Sequence, residues 1–387
     1  MKKPGIFKGL NKNIIVLSVT SFFTDISSEM LYPIIPIFLT SVLGAPMSIL
    51  GLIEGVAEST ASVLKAFSGR FSDLIRKRQP FITLGYFLSA MGKLMLFFAY
   101  AWPAVLLARF IDRFGKGVRA SPRDAMLADS ADIKYRGKAF GFHRAMDTLG
   151  ACLGPLLAVY FLMVLKGNLR HVFLIAFIPA ILSVATLVLF LKEKPLISRS
   201  SAPIRFNLKY FSTPFKRFLF ISSIFAMGNS SDAFLIMRSK SIGLSVTFVI
   251  LAYVAYNISY SALSFPFGIL SDKINRKWVI IGGYTVFALV YLSFALFATP
   301  ATIWVLFFVY GFYMAMTDGV SKAFISDMVA SDSRATAIGL YYCVTGLLAL
   351  FASVIAGLLW TYVAPSAPFI YAAILALISA ILCVFLL

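Results

Sequence analysis

The chain has 387 residues, of which 60% are hydrophobic and 13% charged, with a formal net charge of +19. A soluble domain is nearer half apolar and a quarter charged, whereas here apolar runs of about 20 residues, each able to cross roughly 30 Å of hydrocarbon, recur from end to end. That excludes a soluble globular protein and predicts an all-α polytopic membrane protein. Twelve spans are expected, at 14–43, 47–68, 80–100, 103–127, 138–165, 171–191, 218–237, 245–270, 278–298, 301–327, 335–360 and 368–387.

In chain order, the basic start runs straight into a span too long for the apolar region of a signal peptide, so no cleavable leader is expected. Span 1 contains FFTDISSEMLYPIIPIF. Asp25 and Glu29 lie four residues apart on one helical face, and Tyr32 continues that face. Two carboxylates this close repel in a low-dielectric medium, which suits one of them to take up and release a proton. The structural alternative is that each pairs permanently with an arginine of span 4. In span 2, Glu54 and Glu58 have Lys65 and Lys93 as basic neighbours, and internal ion pairs are expected there. The loop that follows, GRFSDLIRKR, carries Gly69, Arg70, Asp73 and Arg76.

Span 4 is unusually charged: ARFIDRFGKGVRASPRDAMLAD. Arg109, Asp112, Arg113 and Lys116 follow three- and four-residue spacing and form a stripe. Arg113 or Arg109 is the expected partner of the span 1 acids, and an anion-binding role for the stripe is the rival. Arg119 and Arg123 approach the helix end, where long side chains snorkel to water. Span 5 opens with His143, Arg144 and Asp147; His143 and Asp147 are one turn apart, as a proton relay or a hydrogen-bonded structural pair would be. With Lys138, at the first position of span 5, counted with the preceding loop, nine basic residues fall inside the spans, eight of them in the N-terminal half. Each would cost about 2.5–3.5 kcal/mol at the centre of a lone helix, so pairing or hydration must offset them.

The hydrophilic stretch 192–217 divides the chain into an N-terminal six-helix bundle, 1–191, and a C-terminal one, 218–387. The second half is quieter. Asn229 and Asp232 lie in span 7; Tyr310, Asp318 and Lys322 lie in span 10, with the last two placed for a local salt bridge. Across the divide the sequence repeats. Gly69, Ser72 and Asp73 match Gly268, Ser271 and Asp272 at an offset of 199; Asp129, Arg136 and Gly141 match Asp327, Arg334 and Gly339 at 198. Two blocks at nearly one offset imply duplication of a six-helix unit. The three cysteines all fall inside spans, so neither a disulfide framework nor a metal site is expected.

The basic charge is an orientation signal, and no nucleic-acid partner is expected. Lysine and arginine outside the spans number 22 on one side and 4 on the other. That imbalance places both termini in the cytoplasm, with the lipid bilayer itself as the protein's partner.

Taken together, these motifs resemble the major facilitator superfamily. GRFSDLIRKR resembles its signature loop between spans 2 and 3. Arg109, Asp112, Gly115 and Gly117 resemble its span 4 motif, although Arg113 stands where a glycine is usual. GACLGP, with Gly150, Gly154 and Pro155, resembles the motif of proton-driven antiporters, and PIIP resembles one of the twelve-span drug and metabolite exporters. The resemblance implies two pseudo-symmetric bundles around a cavity lined by spans 1, 4, 7 and 10, with spans 3, 6, 9 and 12 facing lipid. It also implies a gating role for Asp73, with Arg334 as its partner, and a monomer.

The expected function is secondary active transport: proton-coupled export of small amphipathic organic compounds by alternating access, in the inner (cytoplasmic) membrane of the cell. The alternative is exchange of an anionic metabolite or siderophore-like solute along the span 4 stripe. Enzyme activity is disfavoured, since no phosphate loop, nucleophile triad or metal cluster is present. No cofactor is expected; the proton gradient would drive the cycle.

Overall fold

Helix starts follow the chain's capping residues. Asn11 opens the first helix by accepting from the Ile14 N–H at 3.1 Å. Ser212 and Ser245 do the same further on, and prolines occupy the first turn of the Ser212-capped helix and of three other helical starts, where a missing N–H costs nothing. The computed structural model describes residues 11–131, 135–193, 211–330 and 334–387. Every regular element among them is helical. Most of the expected linker, 192–217, lies outside the described residues.

The spans run Lys12–Val42, Met47–Ile75, Gln79–Phe97, Trp102–Ser130, Arg136–Val164, Leu169–Phe190, Thr213–Ser241, Val246–Lys273, Arg276–Leu296, Thr302–Met328, Arg334–Tyr362 and Ala367–Leu386, numbered 1 to 12. Among the described residues eleven helical segments are long and apolar enough to cross a membrane. The exception is span 4, a 29-residue helix whose charges lower its hydropathy.

Two spans are interrupted. In span 1 the helix Lys12–Leu31 stops before Pro33, and the chain resumes as Ile34–Ile37 and a π-helical turn, Phe38–Val42. Pro33 and Pro36 have no N–H for the carbonyls of Glu29 and Tyr32, which breaks the ladder there. Span 7 is interrupted at residues 229–232, between Thr213–Gly228 and Ala233–Ser241. The offset that carries Asp129 onto Asp327 carries Tyr32 onto Ser230, so the two breaks occupy matching places in the two repeats.

Packing divides the chain into two compact units: Met1–Tyr32 with Leu64–Ala202, and Pro33–Val63 with Pro203–Leu387. In span 1 the boundary falls at the proline break, so residues 33–63, which belong to the first repeat in sequence, pack with the second.

In the first unit, span 1 packs on spans 5 and 6, and span 3 on spans 4 and 6. Backbones touch along the seam of spans 3 and 4: a Cβ added at Gly92 would sit 2.7 Å from the Ala108 carbonyl oxygen, and one at Gly115 2.4 Å from that of Gly85. An apolar cluster including Ile14, Leu17, Tyr86, Leu127 and Leu187 closes the same unit.

The second unit has an aromatic centre. Phe225 stacks on Tyr284 with ring centroids 4.2 Å apart, and Phe287 on Tyr291 at 3.9 Å. Here too small residues let helices meet. A Cβ at Gly51 would lie 2.2 Å from the Ser353 carbonyl oxygen, and one at Gly357 2.5 Å from that of Met47. Span 2 and span 11 are therefore in backbone contact within this unit.

Candidate functional site

In the first unit, span 5 meets span 1 at the two acids. A Cβ on Gly150 would lie 2.7 Å from the Phe22 carbonyl oxygen and 3.0 Å from Asp25 Cβ. One on Gly154 would lie 2.6 Å from the Ile26 carbonyl oxygen and 2.9 Å from Glu29 Cβ. The two glycines are four residues apart, as are the two acids, so one helical face of GACLGP seats on the face that carries both carboxylates. Any side chain larger than hydrogen at either glycine would push span 5 away. Asp25 and Glu29 keep partial exposure, whereas both glycines are buried. Tyr32 ends the helix just beyond, its N–H donating to the Ser28 carbonyl at 2.9 Å.

Span 4 brings cations to the span 1 acids. The strongest opposite charges acting on Asp25 are Lys116 and Arg123, and the strongest like charges are Asp147 and Glu29. Arg109 and Arg113 act instead on Asp112, with Lys93 and Arg119 beside them. Arg109 Nη1 lies 3.9 Å from Asp112 Oδ2. For Asp25, the cations of span 4 that act on it, Lys116 and Arg123, thus lie about one and about three turns further along the helix than Arg113.

Arg119 and Arg123 have structural partners as well. The Arg119 guanidinium lies 4.2 Å from the Tyr86 ring centroid and donates to Ser89 Oγ. Arg123 donates to Asp124 at 2.8 Å and to Ser21 Oγ of span 1 at 3.2 Å. His143 is buried, with its Nδ1 3.8 Å from Asp147 Oδ1, too far for a hydrogen bond. Both His143 ring nitrogens and that Asp147 oxygen are buried without a hydrogen-bond partner among the described residues. The two are adjacent, as a relay needs, but not engaged in this conformer.

Lys93 corrects an expectation. It does not turn toward Glu54; its ammonium donates to Ser28 Oγ at 3.0 Å and lies 3.4 Å from the Thr24 carbonyl oxygen, both on span 1. Glu54, almost wholly buried, belongs to the second unit and accepts from Ser231 Oγ at 3.3 Å.

The loop motif packs at the seam of spans 2 and 4. A Cβ on Gly69 would meet Ser121 Cβ at 3.0 Å, and Ser68 Oγ donates to the Gly117 carbonyl at 2.9 Å. Arg76 adopts a left-handed backbone, φ 58°, that ends the helix. The side chains of Arg70 and Asp73 lie outside the described residues. Arg334 donates to the Ser326 carbonyl at 3.1 Å. The repeat extends to ion pairs: Arg78 bonds Asp129, and Arg276, its match at offset 198, bonds Asp327 as well as Asp272.

In the second unit the break in span 7 is held by polar side chains. Tyr310 donates to Asp232 Oδ1 at 2.7 Å, and Asn229 donates to the Tyr313 hydroxyl at 3.1 Å. Ser353 Oγ accepts from the Ser231 N–H at 3.1 Å. These bonds satisfy backbone and carboxylate groups that an interrupted helix would otherwise leave bare in hydrocarbon. Asp318 and Lys322 form their local bridge at 3.0 Å, and Tyr260 also donates to Asp318. Sequence reading missed Lys93 as a neighbour of span 1 and missed the Glu54–Ser231–Ser353 group. The run Asn-Ser-Ser-Asp inside span 7, rich in turn and capping residues, was the available signal for the latter.

The family model of the Major Facilitator Superfamily matches residues 17–238 and 218–387. An uncharacterised MFS-type transporter of Methanocaldococcus jannaschii is 41% identical over 383 residues, covering 97% of this chain and 95% of that one. The quinolone resistance protein NorA of Staphylococcus aureus is 25% identical over 146 residues, covering 38% of this chain and 37% of its own. Among solved structures, the nucleoside transporter NupG superposes with a TM-score of 0.77 at 15% identity, covering 96% of this chain and 98% of its own.

Proposed function

This chain belongs to the Major Facilitator Superfamily of membrane transporters, and from that premise we propose that it exports small amphipathic organic compounds in exchange for protons. The observation that carries the reading is the register of Gly150 and Gly154 on Asp25 and Glu29. An ionised carboxylate cannot be shut away from water without a compensating charge, whereas a protonated one can. A site built on such an acid closes when loaded with a proton or with a cationic or polar substrate, and stays open when empty. If proton and substrate compete for the same acid, alternating access becomes antiport. The partial similarity to NorA agrees with amphipathic substrates.

The proton gradient replaces any cofactor, the protein works as a monomer in the inner membrane, and both termini are cytoplasmic, as the basic loops imply. A second reading, exchange of an anionic metabolite, is favoured by the cations around Asp112: Lys93, Arg113, Arg109 and Arg119 outnumber it. Proteoliposomes with an imposed pH gradient, offered cationic, neutral and anionic amphiphiles, separate the two. Flux that follows the gradient and collapses with a protonophore supports antiport. Flux restricted to anions and indifferent to the gradient supports exchange.

A further inference from the structure

Three buried polar atoms near the start of span 5 meet no partner among the described residues: both ring nitrogens of His143 and Oδ1 of Asp147. The His143 side chain is almost wholly buried, and its Nδ1 faces that oxygen across 3.8 Å. A histidine that serves the fold is fixed by a hydrogen bond to at least one nitrogen, and a buried polar group without one has given up its hydration for nothing. A closure of about 1 Å would turn the contact into a hydrogen bond.

The seam with span 1 gives the pair its neighbour. A Cβ on Gly150 would lie 3.0 Å from Asp25 Cβ, and one on Gly154 2.9 Å from Glu29 Cβ, so spans 1 and 5 run in the same direction with their residues in step. Asp147 and His143 lie three and seven residues before Gly150, on the same helical face. With turns of that face about 5.4 Å apart, Glu29, Asp25, Asp147 and His143 form one file along the seam. The file runs toward the N-terminal ends of both helices, the side that the proposed topology places in the cytoplasm.

We propose that Asp147 and His143 are the exit by which the proton on Asp25 leaves. The inference rests on the proton-exchange reading above and deepens it by naming the route. The proton passes from the Asp25 carboxyl to the Asp147 carboxylate, directly or through one water. Asp147 gives it to His143 Nδ1, and the imidazolium loses its other proton from Nε2 toward the helix start. Asp25 and Asp147 end ionised and the ring neutral, and the ring regains its Nε2 proton by exchange with water before the next cycle. During the passage the imidazolium stands beside the Asp147 carboxylate, so no uncompensated charge is left buried. Competition at one acid requires such an exit. Substrate arriving on the exposed side of Asp25 blocks the direct way to water, and the proton it displaces must leave behind the acid.

The charged groups facing the ring are Arg123 and Asp124 of span 4 and Arg144 and Asp147 of its own helix. Those facing Asp25 are Glu29, Asp147, Lys116 and Arg123. Span 6, which also packs on span 5, carries ionisable side chains in its first turn, at Arg170 and His171.

The test needs no substrate. His143 and His171 are the chain's two histidines, and His171 is exposed, so histidine-labelled protein carrying His171→Gln shows the His143 ring alone by nitrogen-15 NMR in nanodiscs. The expected result is a pH-dependent change in both ring signals, one step of which follows Asp25 and disappears in Asp25→Asn. That step is also lost in Asp147→Asn, which breaks the route, and is kept in Asp147→Glu, which restores the carboxyl. A ring fixed in one tautomer across the titration overturns the proposal without any change to the site. A step that survives in Asp147→Asn overturns it as well, because His143 then senses Asp25 only through space. If the coupled step is found but no cationic, neutral or anionic amphiphile drives proton-linked flux, the export reading falls and the exit assignment stands.

Discussion

The two compact units solve the same problem, polar groups in a membrane, by opposite means. The first stacks charge on charge: Asp25, Glu29, Asp112 and Asp147 lie among Lys93, Arg109, Arg113, Lys116, Arg119 and Arg123. The second uses rings and hydroxyls. Tyr310, Tyr313, Tyr291 and Phe287 pack on one another, and Tyr310 gives the Asp232 carboxylate a neutral donor. A charge network responds to one proton, because every member feels every other through a low dielectric. An aromatic core with neutral donors responds to shape instead. On the proposed proton exchange, proton handling belongs to the first unit and ligand fit to the second.

The contrast can be broken at several places. The largest effect is expected at Asp25→Asn, which mimics the permanently protonated acid. Gradient-driven flux falls by about 100-fold or more, the scale of losing a proton-transfer group, while thermal stability holds. Next is Gly154→Leu, whose side chain has no room against the Ile26 carbonyl. It costs about 1–3 kcal/mol by overpacking, lowers the thermal midpoint in detergent and reduces flux about tenfold. Gly154→Ala does the same more weakly. In the second unit Tyr310→Phe removes the donor on Asp232, costing about 1.5–3 kcal/mol for a bond to a charged group. It raises KM several-fold yet leaves the pH profile of transport unmoved; a shifted profile would erase the division of labour. The smallest effect is expected at Lys322→Ala, because a half-exposed i,i+4 bridge contributes about 0.3–0.5 kcal/mol. Flux and thermal midpoint stay within error of wild type.

Much of the fold could be read directly. Even span 4 was legible as a helix despite its charges, because its basic residues recur at three and four. The repeat offset carried the reading to single residues, since Asp129 and Asp327 each hold the arginine at the start of the preceding helix. Periodicity also placed Asp25 with Glu29 and Gly150 with Gly154, but each pair only within its own helix. That the two faces meet is a fact of helix packing, to which spacing along one helix is blind. Lys93 was misassigned for the same reason. Sequence distance put it near Glu54, while the glycines of the seam between spans 3 and 4 turned it toward span 1. The break in span 7 escaped because its residues, Asn229 to Asp232, interrupt an otherwise apolar run too briefly to change its hydropathy.

The most direct test of proton exchange at the span 1 acids is substrate-induced proton release from energised inverted vesicles, followed with a pH-sensitive dye. Wild type is run beside Asp25→Asn and Glu29→Gln, each checked for insertion and monodispersity. Release in wild type on addition of a cationic or neutral amphiphile, lost in Asp25→Asn, is the predicted result. Undiminished release in both variants would contradict the account and remove the coupling site from span 1.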